Sequence, residues 1–116
     1  MAQEHRDSPI KPHEVIMGGY YRIEDMSGRF IIVKVNQFET HNSTGRILSG
    51  NISRFIGPTI SDMDFGIEYR KDCTPSFYDR YIKKASALDV QWLKRCIKAN
   101  ELVDRPKVIR EHYEIY

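Results

Sequence analysis

No run of apolar residues in this 116-residue chain approaches the length of about 20 that a membrane-spanning helix needs. The opening stretch MAQEHRDSPIKPHE also lacks the apolar core of a secretion signal, so a cytoplasmic protein without membrane contact is expected. Two apparent glycosylation sequons, Asn42-Ser43-Thr44 and Asn51-Ile52-Ser53, then read as chance matches. There are only two cysteines, Cys73 and Cys96, with no C-x-x-C spacing, which excludes a zinc ribbon or a thioredoxin-type pair and leaves two reduced thiols. His5, His13, His41 and His112 are scattered without ligand spacing, so no metal site and no cofactor are expected. Ser, Cys and His occur in no recognised nucleophile arrangement, and an enzyme is not expected. Asp62, Asp64 and Glu68 form an acidic cluster, but no phosphate-binding loop accompanies them, and loop solvation explains them better than Mg²⁺ does.

What is present is ordinary for a folded domain: 41% apolar and 29% charged residues, enough to bury a core without crosslinks. The net charge is only +2, but it is segregated. Residues 29–56 hold four Lys or Arg against one acid, and residues 79–100 hold six against two. We divide the chain into a flexible tail at 1–14, a single domain at 15–103 and a C-terminal arm at 104–116. Val108, Ile109, Tyr113, Ile115 and Tyr116 are too apolar for an indifferent arm. They pack on the same domain or, through residues 106–116, on a second copy of the chain.

Alternation of Tyr21 and Ile23 against Arg22 and Glu24 predicts a half-buried strand, and Asp25-Met26-Ser27-Gly28 supplies a hairpin turn. The run RFIIVKVNQF predicts a central strand. RILSGNISRFI predicts a third, bent at Gly50 and ended by Gly57-Pro58, with TISDMD as a loop behind it. FGIEYR and FYDRYI complete five short strands. Such a set predicts a mainly β (α+β) domain: a small SH3-like barrel or a strongly curved antiparallel sheet. The period then changes. Ser86 as N-cap, Asp89 three residues on, and Asn100 as left-handed C-cap frame a helix from about Ala87. Val90, Trp92, Leu93, Cys96 and Ile97 fill its apolar arc, so Trp92 is expected to be buried against the sheet.

The stretch KKASALDVQWLKRCIKANELVD, behind a β-rich body opening with GGYYRIED, resembles a group of small uncharacterised barrel-plus-helix proteins of gut anaerobes and their phages. Ala87, Trp92, Leu93, Cys96, Ile97 and Ala99 fit their helical pattern; Val90 and Gln91 stand where acids would be expected. The resemblance covers Val15 to Asp104 loosely and offers no catalytic residue. It implies a phage or mobile-element origin, and a role in countering host defence by sequestering a signalling nucleotide or blocking a host protein.

Two surfaces offer binding chemistry. In FETHNSTGR, the side chains of Thr40, His41, Asn42, Ser43, Thr44 and Arg46 could cradle an anion, or simply turn the chain between strands. Tyr20 and Tyr78 add rings able to stack a base or grip a peptide. The other surface is cationic: Lys83, Lys84, Lys94, Arg95 and Lys98, suited to a nucleic-acid backbone. A pI of about 8.5 is below that of a dedicated nucleic-acid binder. The reading favoured is therefore a non-catalytic binding module for an anionic small ligand or a host protein, with nucleic-acid binding as the alternative.

Overall fold

The computed structural model describes residues 10, 14–40, 52–62, 66–73 and 81–105, with backbone alone at 38–40 and 52–54. Six strands and one helix occur among them: β1 (Tyr20–Glu24), β2 (Phe30–Lys34), β3 (Gln37–Thr40), β4 (Ile52–Asp62), β5 (Glu68–Cys73), β6 (Tyr81–Lys84) and α1 (Ala87–Ala99). All the pairings are antiparallel. β2 and β3 follow one another along the same partner, β4, so the sheet is five strands wide, ordered β5-β4-β2-β1-β6.

The bend lies where β2 gives way to β3. Phe30 to Val33 pair with Asp62 to Thr59, whereas Gln37 pairs with Ile56, so the register slips by one between the two segments. Opposite the slip stand Gly57 and Pro58. A Cβ on Gly57 would drive into the Lys34 carbonyl oxygen, which is why glycine occupies that position. On its other edge β4 shifts register against β5 between Gly57 and Thr59. Pro58 thus falls in a gap of both ladders, where its missing N–H costs no sheet hydrogen bond. This corrects the sequence reading, which ended the strand at Gly57-Pro58: Thr59 to Asp62 belong to β4 rather than to a loop.

Among the described residues no pairing joins β5 to β6, so the sheet is curved and open rather than an SH3-like barrel. Both faces carry buried side chains. One face carries Tyr21, Ile23, Ile31, Val33, Val35, Phe55 and Ile82, joined by Val15 and Ile10. The other carries Ile32 and Ile60 and receives Trp92, Leu93 and Cys96 of α1. Edge strand β5 is kept from further pairing by its charges, Glu68, Arg70, Lys71 and Asp72, with a 2.7 Å ion pair between Arg70 and Glu68. It begins later than FGIEYR suggested, at Glu68.

Both ends of α1 follow from single residues. Ser86 Oγ accepts the Asp89 backbone N–H at 3.1 Å. Asn100, at φ 57°, closes the other end as its N–H reaches the Ile97 carbonyl while the Glu101 N–H reaches that of Cys96. The β1–β2 turn is set by Asp25, whose Oδ1 accepts from Ser27 N, Ser27 Oγ and Arg29 N at 2.9, 2.7 and 3.0 Å. The Ser27 hydroxyl, with these backbone donors, holds the Asp25 carboxyl below the usual carboxylate range. Gly28 takes the positive φ, 90°, that completes the turn. No helix among the described residues is long and apolar enough to cross a membrane.

Candidate functional site

After Asn100 the chain turns back over α1. Trp92 Nε1 donates to the Val103 carbonyl at 2.6 Å, and the Val103 N–H donates to Cys96 Sγ at 3.3 Å. Burial pushes the Cys96 thiol up, partly opposed by that N–H, so it sits as a neutral acceptor. These two bonds make residues 102–105 one wall of a groove. The opposite wall is sheet: Arg22 and Phe30, with Ile67 ahead of β5. The groove has a volume of about 330 Å³, at the lower end of small-molecule sites.

Its chemistry centres on Asp89. This carboxylate is only 3% exposed, and one terminal nitrogen of Arg22 bonds both its oxygens, at 3.2 and 3.1 Å. Arg105 Nη2 stands 4.0 Å from Asp89 Oδ1. Each guanidinium lies over a ring: Arg22 over Phe30 at 4.2 Å and Arg105 over Trp92 at 5.6 Å, the rings themselves being 6.3 Å apart. Glu24 approaches Arg22 Nε at 3.5 Å and Lys83 Nζ at 2.9 Å. Two large apolar side chains remain exposed at the groove, Ile67 at 44% and Leu102 at 41%. The arrangement is an apolar slot with one cation tied to a buried carboxylate, Arg22, and one more loosely held, Arg105, suited to an anion that also has an apolar body.

The residues expected from sequence are dispersed. His41, Asn42, Ser43, Thr44, Arg46 and Tyr78 lie outside the described residues, as do Asp64, the tail except Ile10 and Glu14, and residues 106–116. Thr40 ends β3, paired with Ile52. Tyr20, half-buried on β1, has Lys34 Nζ at 5.9 Å and Lys94 Nζ at 5.8 Å from its ring centre, and burial raises its hydroxyl pKa. Of the cationic set, Lys83 pairs with Glu24 on the face that bears α1, while Lys84, opposite Tyr21, belongs to the other face. Lys94 and Lys98 are exposed on the helix and Arg95 is half-buried. Asp62 and Glu68 end β4 and begin β5, and no group of metal-binding side chains occurs among the described residues.

Sequence reasoning missed Arg22, Phe30, Leu102 and Arg105 as a set. The available signal was Arg22 itself: it faces Ile32 across the β1–β2 ladder, on a side that the helix covers. The fold and groove together define a small open-sheet-plus-helix protein with an arginine-lined apolar slot. Comparison with protein-family models, curated proteins and solved structures finds no match to the chain.

Proposed function

We propose that this protein is a non-catalytic binding module that captures a small anionic ligand, such as a signalling nucleotide, in the groove between α1 and β1–β2. The observation that carries this reading is the pair of guanidiniums, each over an aromatic ring and both drawn toward the buried Asp89, beside exposed Ile67 and Leu102. Arg105 is the better placed to engage a ligand. Its side chain is 41% exposed and its contact with Asp89 is a long one, so its fork can take a carboxylate or phosphate. Arg22, tied to Asp89 and Glu24, shapes the floor.

The test is a thermal-shift screen of nucleotides and organic anions against the parent chain and Arg105→Ala. A ligand at a hundredfold excess over its Kd adds about 2.7 kcal/mol of stability to the parent. Arg105→Ala should lose that gain while its unliganded melting point barely moves, since an exposed charge adds little to folding. Equal stabilisation of both proteins by the same ligand would put the contact outside this groove.

A second reading, nucleic-acid binding, is favoured by one feature, Tyr20 with Lys34 and Lys94 beside its ring and Lys98 one turn further along α1. Gel-shift titration with single-stranded DNA and RNA at low salt separates the two. Binding that weakens steeply with salt and with Lys94→Gln supports it, and no shift at low salt eliminates it.

A further inference from the structure

We propose that the groove selects singly charged anions with a flat apolar body, such as aromatic carboxylates or cyclic mononucleotides, and rejects polyphosphates. The inference rests on the groove being the ligand site. It follows from how completely the local cations are already matched.

Among the described residues, three cations belong to the groove or to the ion pairs that reach its arginines: Arg22, Arg105 and, through Glu24, Lys83. Three carboxylates answer them. Asp89 engages Arg22 and stands near Arg105, Glu24 engages Arg22 and Lys83, and Asp104 lines the groove beside Arg105. Counted over these described residues, the local charge is zero before any ligand enters. A single negative charge can be received by the Arg105 fork, because the competing contact to Asp89 is 4.0 Å long. Among the described residues that line the groove, each further negative charge would meet no spare cation and would stand close to Asp104 and Asp89, where like charges in a partly dry groove repel. Arg22 cannot turn to help: doing so would strip a carboxylate that is 3% exposed of its main partner.

The walls select the rest of the ligand. Phe30, Ile67, Trp92 and Leu102 offer apolar surface, and among the described residues the polar lining comes from the arginines, Asp104 and the 102–105 chain. A compact anion such as inorganic phosphate or acetate leaves that surface wet. A flat apolar body covers it and can lie against the guanidinium planes.

The experiment is a calorimetric titration of the full chain with a charge series: benzoate, indole-3-acetate and cyclic AMP as flat monoanions, AMP and ATP as the multiply charged arm, and acetate as the small monoanion. Circular dichroism and the melting point verify that Arg105→Ala is folded. At least one flat monoanion should bind about tenfold or more tightly than both AMP and ATP, and than acetate. Loss of one charge-assisted bond should weaken that ligand about tenfold in Arg105→Ala. Asp104→Asn should narrow the preference by improving AMP and ATP. AMP or ATP binding as tightly as every flat monoanion, with the same loss in Arg105→Ala, overturns the charge selection and leaves the groove reading standing. No heat from any member of the series, or binding indifferent to Arg105→Ala, overturns both.

Discussion

A charged side chain on a strand whose neighbours are covered needs a counter-charge, and Arg22 finds it in Asp89, a residue 67 positions away in sequence. The sequence reading placed Asp89 three residues after the Ser86 N-cap; its backbone N–H does meet Ser86 there, but the carboxylate serves the sheet. Thr59 is the opposite case. It is fully buried opposite Val33, and its hydroxyl has no hydrogen-bond partner among the described residues. Thr59→Val keeps the shape and removes the unsatisfied group, so chemical denaturation should show a gain of about 1 kcal/mol. A loss of similar size would mean that the hydroxyl is bonded. Asp25 carries a pH dependence. Its carboxyl is held below its unfolded value, so its contribution is complete above the unfolded pKa of about 3.9 and is lost as pH falls through the lower folded value. Asp25→Asn cannot titrate. The melting-point gap between parent and variant should be constant near neutral pH and shrink below about pH 4; a gap that widens there contradicts the assignment.

At the scale of elements, α1 was the most legible. Its caps, bounds and buried face follow from Ser86, Asn100 and the spacing of Trp92, Leu93 and Cys96, because these signals are local. The β1–β2 hairpin was legible for the same reason. What local pattern could not supply was the long β4: Pro58 argues for a break unless the register slips on both of its edges are known, and those depend on distant partners. Nor could it supply the groove, whose walls come from β1, β2, the stretch ahead of β5, α1 and the chain beyond Asn100. Arg105 read as the start of an arm because nothing near it in sequence points to Trp92. The helix is held by that tryptophan, which also fixes the 102–105 wall through the Val103 carbonyl. Trp92→Ala should cost about 3–5 kcal/mol in a denaturant titration, as large core truncations do. A cost below about 1 kcal/mol, usual for surface positions, would contradict the packing of α1 on the sheet.

At the scale of the whole molecule, the described residues form an open sheet with two buried faces, an α1 with one side to solvent, and a seam beside Asp89 where cations, rings and exposed apolar side chains meet. The seam competes with the polar stretch from Thr40 to Arg46 as the place where a ligand would touch. The two are far enough apart in sequence for backbone resonances to separate them. The most direct measurement is an amide and indole N–H spectrum of the isotopically labelled chain titrated with cyclic AMP and with indole-3-acetate. Saturable shifts should concentrate on the Trp92 indole N–H, the amides of Leu102, Val103 and Arg105, and that of Arg22. Saturable shifts confined to residues 40–46, with the Trp92 indole and Val103 unmoved, would contradict the account.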